Sequence, residues 1–138
     1  MRTKLINYAL TAAMALTGLP ALAHHSFDAE YSRKDQREFT GTVTKVEWMN
    51  PHARFYVDVK EPDGKVENWE FELGSPNGLM RQGWKRDSLK VGDVISVMGN
   101  LAKDGSNLAN ARNVTLADGR RVFAGSSADG EPTAGKGR

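Results

Sequence analysis

The chain has 138 residues, 39% of them hydrophobic, no cysteine, and a formal net charge of +2. The absence of cysteine excludes disulfides and thiolate metal sites. A charge so near zero also argues against the basic stripe that nucleic-acid binding requires, so no nucleic-acid partner is expected.

Residues 1–23 have the pattern of an export signal. Arg2 and Lys4 make a positive start, Leu5 to Leu16 is mostly apolar, and Ala21-Leu22-Ala23 is the small-x-small pattern that signal peptidase reads. The apolar run is short and interrupted by Thr11, Thr17 and Pro20, which suits a cleaved leader better than a membrane span. Cleavage after Ala23 would leave a periplasmic or secreted protein with no transmembrane segment in the mature chain. Arg2 and Lys4 are two of the 19 Lys+Arg, so residues 24–138 carry 17 basic and 17 acidic groups. These 115 residues make one small domain that packing alone must hold together.

Residues 24–37 read as a polar N-terminal arm, in which Phe27 and Tyr31 have the i, i+4 spacing of one helical turn. A first strand follows over 38–48, with Phe39 and Val43 alternating with threonines. Val46 and Trp48 have the opposite parity, which predicts a bulge near Lys45. Trp48-Met49-Asn50-Pro51-His52 breaks the pattern, because proline fixes its own φ and drives the residue before it out of the helical region. A second strand over 53–60 carries Phe55, Val57 and Val59 on one face. Pro62-Asp63-Gly64-Lys65 is a turn. A third strand over 66–73 carries Trp69, Phe71 and Leu73 on one face, with Glu70 and Glu72 on what should be a solvated one.

Ser75 and Pro76 predict a helix start over 76–82, where serine caps the free N–H groups and proline occupies the first position. Leu79 and Met80 should pack inward, Gly83 should end the helix, and Trp84 should plug the core. Arg81, Lys85 and Arg86 read as a solvated helix end. Further strands are expected over 94–101 and 111–116, with an Arg120 to Phe123 extension after the Asp118-Gly119 turn. From 124 to 138 the composition is that of a disordered tail. The fold class is all-β with one short helix. The order β-β-β-α-β-β over 38–123 is that of a small five-stranded, partly open OB-like barrel.

Several motifs together resemble a family of small exported bacterial proteins that form a domain of unknown function. They are His24-His25-Ser26-Phe27, Trp48-Met49-Asn50-Pro51-His52, Trp69-Glu70-Phe71-Glu72, Ser75-Pro76 to Gly83-Trp84, Leu89 to Asp93, and Asp118-Gly119-Arg120. The resemblance implies a secreted or periplasmic β-rich domain and brings no activity or assigned residues.

The candidate chemistry lies with the three histidines. After cleavage, His24 would offer its α-amino group and its ring Nδ1 in one chelate, and His52 on its turn would add a third nitrogen. Such a set suits copper as Cu(II) and can hold zinc. His25 is the alternative ligand, and Met49 could add a thioether. The competing reading makes His24 and His25 solvated terminal residues and His52 a turn residue donating to a backbone carbonyl. A second functional class is a metal-free module that binds a ligand, an oligosaccharide or an envelope protein. Its candidate residues are Trp48 and Tyr56 for stacking and Asn50 for polar contact. The sequence contains no Ser-His-Asp order, HExxH motif or Gly-rich phosphate loop, so an enzyme is the weakest of the three classes.

Overall fold

The structure, a computed structural model, describes residues 26–125. The expected leader, His24, His25 and the tail beyond 125 lie outside the described residues. A helical turn over 26–30 (α1) leads into β1 (Tyr31–Glu47), followed by β2 (Arg54–Lys60), β3 (Val66–Glu72), α2 (Pro76–Arg81), β4 (Val94–Ala102), β5 (Leu108–Thr115) and β6 (Arg121–Phe123).

All neighbouring strands pair antiparallel in the order β3-β2-β1-β4-β5-β6, and β3 also pairs parallel with β5. That extra pairing joins Glu70 to Leu108 and Glu72 to Asn110 and closes β1-β2-β3-β5-β4 into a ring. The fold is an OB-type barrel with a sixth short strand added on β5. The predicted parity change in β1 has its physical cause in a register shift between Val43 and Lys45. The extra residue turns Val46 and Trp48 inward, where they pack on the barrel core.

The core is continuous and aromatic. Phe39, Phe55 and Phe71 are at most 1% exposed, with Phe39–Phe71 and Phe55–Phe71 ring centroids 5.0 and 5.1 Å apart. Ile95, Val97, Ala109, Val114 and Leu116 complete it from the other side of the ring. α2 closes one end. Ser75 accepts a hydrogen bond from the Gly78 N–H at 3.2 Å, and Leu79 is fully buried beside Trp84 and Leu89. The Trp84 indole N–H donates to the Phe123 carbonyl at 2.6 Å, which ties the helix end to β6. Toward the opposite end, Arg37 lies 4.5 Å from the Phe39 ring centroid and pairs with Glu61 at 2.6 Å.

Five expectations need correction. β1 begins at Tyr31 instead of residue 38, because Tyr31 pairs with Ala102 and a four-residue excursion, Ser32 to Asp35, separates it from the next pair at Gln36. β5 starts three residues early, at Leu108, where β3 supplies a partner. Ala124 is buried rather than part of a loose tail, with its carbonyl accepting from Gly74 N–H at 2.8 Å. Met80 is 47% exposed: adjacent residues of a helix point about 100° apart, so Leu79 faces the core and Met80 does not. Glu72 is not solvated, and its side chain is only 12% exposed.

Candidate functional site

The loop between β1 and β2 carries the histidine that the sequence singled out. At the end of the β2–β3 ladder the Leu73 N–H donates to the Ala53 carbonyl at 2.9 Å, and the Ala53 N–H donates to the Gly74 carbonyl at 3.1 Å. That contact sets His52 directly over the Leu73 carbonyl, and its Nδ1 lies 2.9 Å from the oxygen. A carbonyl can only accept, so Nδ1 carries a proton, and in the neutral ring the lone pair is on Nε2. The side chain is 40% exposed. It opens on a groove of about 310 Å³ shared with Glu47, Met49, Asn50, Pro51 and Arg54. The Asn50–Pro51 peptide is cis. Met49, 54% exposed, spends none of its bulk on the core.

Beside the groove, the outward side chains of β1, β2 and β3 form a charged strip. Register puts Glu47 opposite Arg54, and Arg54 opposite Glu72. Arg54 bridges Glu70 and Glu72, the latter at 3.2 Å. Burial raises the Glu72 carboxyl above the usual carboxylate range, the nearby Glu30 charge adds to this, and His52 and Arg54 oppose it. The Glu72 oxygen stands 3.9 Å from His52 Nδ1, too far for a hydrogen bond. Tyr56 donates to Glu47 at 3.2 Å, and its ring face is covered by the Lys45 ammonium at 5.0 Å. Burial pushes the Tyr56 hydroxyl up.

The strip continues around the barrel into a second, separate cluster. Glu72 is paired with Asn110, and Asn110 with Asn100. Over these strands lie Phe27 and Tyr31, which pack with Ala102 and Leu108 outside the main core. The Phe27 and Tyr31 rings are 5.4 Å apart, and Arg33 lies 4.5 Å over Phe27. Burial, reinforced by the Glu72 charge, raises the Tyr31 hydroxyl far above its ordinary value. The Tyr31 hydroxyl, both polar atoms of the Asn100 side chain and the Asn110 Oδ1 are buried without hydrogen-bond partners among the described residues.

The structure therefore brings His52, Met49 and Asn50 to one groove and leaves the two stacking candidates, both half-buried, outside it. Trp48 is half-buried on the core, 6.5 Å from Trp84, and Tyr56 is covered by Lys45. His24 and His25 lie outside the described residues. Sequence reading missed Glu72, Arg54 and Tyr31. The i, i+4 pair Phe27/Tyr31 was the one available signal for the last of these. Among the described residues no group of three or more His, Cys, Asp or Glu side chains could hold a metal by itself. Among them no helix is long and apolar enough to cross a membrane.

Residues 12–111 match the profile of a family of unknown function (DUF6152), and the chain belongs to that family. No curated protein matches it. Among solved structures, a mitochondrial single-stranded DNA-binding protein of S. cerevisiae, Rim1, is similar at 8% identity and a TM-score of 0.46. The match covers 59% of this chain and 92% of that one.

Proposed function

We propose that this family member is an exported, periplasmic copper-binding module that holds Cu(II) through His24, at the terminus left by cleavage after Ala23, and His52. The observation that carries the reading is the fixed ring of His52 at the groove: its Nδ1 bonds the Leu73 carbonyl, a contact the turn-residue reading also expects, while the side chain stays 40% exposed. That bond orients the ring and, in the neutral imidazole, puts the proton on Nδ1 and the lone pair on Nε2, the arrangement commonly found behind metal-bound imidazoles. The groove supplies access, and Met49 supplies a thioether at its rim. The neighbouring guanidinium is neutralised by Glu70 and Glu72, so a cation can approach Nε2. His25 is the reserve ligand. The alternative, a metal-free module for a small ligand, an oligosaccharide or an envelope protein, has Asn50 on the same groove. It is the weaker reading because Trp48 and Tyr56 already spend their rings on intramolecular contacts.

The test is isothermal titration with copper, together with electron paramagnetic resonance, on three proteins: one with the native terminus, one with a glycine added before His24, and His52→Ala. The native terminus should bind Cu(II) more tightly than Zn(II), following the usual divalent order for nitrogen ligands. Both changes should weaken binding and alter the spectrum. Equal affinities and spectra in all three would overturn the site and favour the metal-free module. Single-stranded DNA should produce no anisotropy change at physiological salt, since no basic stripe neutralises phosphate.

A further inference from the structure

The Phe27–Tyr31 cluster shares no residue with the barrel core. A single ladder pair, Tyr31 with Ala102, joins this N-terminal dock to β4, and pairing resumes only at Gln36, beyond the excursion of Ser32 to Asp35. The Lys103 N–H donates to the Glu30 carbonyl at 2.9 Å, and the Lys103 ammonium bonds the Asp28 carbonyl. Arg33 lies over Phe27 and pairs with Asp28 at 2.6 Å, with side chains 40% and 54% exposed. Beneath the dock, Asn100 and Asn110 are directly opposed on β4 and β5, and they are 1% and 3% exposed. Both polar atoms of the Asn100 side chain, the Asn110 Oδ1 and the Tyr31 hydroxyl are buried there without partners among the described residues.

We propose that residues 26–31 are a strap that opens as a unit while the barrel stays folded, uncovering the Asn100–Asn110 face. The strap uses none of the proposed copper ligands and stands apart from that reading. Closing it buries the Phe27 and Tyr31 rings, which favours the closed state. Closing also takes four polar atoms out of water without giving them partners, which opposes it. The barrel core, built from hydrophobic side chains, has no such cluster of unpaired atoms beneath it. A segment balanced in this way opens locally, well below the free energy of global unfolding. Ser32 to Asp35 supply the hinge, since they lie between ladder pairs and can turn without parting β1 from β4 beyond Gln36. In the open state the Asn100 and Asn110 amides join Glu72 and Arg54 in one outward row that ends at the His52 groove.

The test is amide hydrogen exchange, read by NMR in increasing urea below the unfolding transition. The Lys103 N–H has its acceptor on the strap, and the amides of β2, flanked by β1 and β3, report on the barrel. Corrected for intrinsic rates, the Lys103 N–H should exchange roughly a hundredfold or more faster than the slowest β2 amides. Its urea dependence should be much shallower, because a local opening exposes little surface. Val57→Ala, a change at a fully buried barrel position, should speed β2 exchange roughly tenfold or more and leave Lys103 at its wild-type rate. Asn100→Leu removes two of the unpaired atoms and keeps the bulk of the side chain, so it should slow Lys103 exchange roughly tenfold. Tyr31→Phe should slow it by a smaller factor. Equal protection and equal urea dependence at Lys103 and β2, both lowered together by Val57→Ala, would overturn the strap and make the dock part of the barrel's cooperative unit. Faster Lys103 exchange in Asn100→Leu would overturn the balance that lets the strap open, since the buried amide would then be bonded rather than a burden.

Discussion

The barrel interior and the N-terminal dock are both buried, but they are built from different material. Inside the ring, apolar side chains meet one another: Phe39 lies 4.6 Å from Trp69, and Phe55 stacks on Phe71. The dock buries two aromatics over Asn100, Asn110 and Glu72 and leaves four polar atoms unpaired there. Each unpaired buried group costs about 1–3 kcal/mol, so the dock is a poor way to gain stability. The interior, and not the dock, supplies the apolar burial that holds the fold.

The largest expected effect sits in the interior. Phe71→Ala should cost about 3–5 kcal/mol, a large share of a small domain's total, read by urea denaturation. Wild-type stability in that variant would remove Phe71 from the centre of the core. Gly41→Ala comes next. A Cβ at Gly41 would lie 2.2 Å from the Asp58 carbonyl oxygen on the paired strand, a backbone atom that cannot swing aside. The β1–β2 pairing must open to admit it, at about 1–3 kcal/mol or more.

Glu72 tests the boundary between the two regions. Its carboxyl protonates above the unfolded value, so in the pH window just above that value the folded state holds more protons than the unfolded one. Stability from this group therefore rises as pH falls through the folded value, and the ionised form is a liability at neutral pH. In metal-free protein, Glu72→Gln should be more stable than wild type at pH 7, with the gap closing near pH 4. A gap that widens on acidification would mean that the Arg54 pairing, not burial, governs Glu72. The smallest effect belongs to the dock. Tyr31→Phe removes an unpaired hydroxyl and should be neutral or stabilising by up to ~1 kcal/mol. A loss of 2 kcal/mol or more would show that the hydroxyl is well bonded and that the dock resembles the interior after all.

Much of this architecture was legible locally. The alternation in residues 54–60 and 66–72, the Pro62 to Lys65 turn and the Ser75-Pro76 helix start all follow from steric preferences of neighbouring residues, and all stand where expected. Even the β1 bulge was readable, because a one-residue slip must reverse the facing of Val46 and Trp48. Of the candidate site, the His52 turn was legible, since Asn50-Pro51 punctuates the chain whatever surrounds it.

The amino-acid sequence by itself thus determined the strands, their inward faces, the turns between them and the order that makes an OB-type barrel. Only the tertiary structure decided the parallel β3–β5 closure, the extension of β1 back to Tyr31 and the desolvation of Glu72. It also decided which carbonyl meets His52 Nδ1, and hence which nitrogen is free. The reason is distance along the chain. Periodicity and turn chemistry act over a few residues, whereas Glu72 meets Asn110 and Tyr31 meets Ala102 across dozens, and no local preference encodes those meetings.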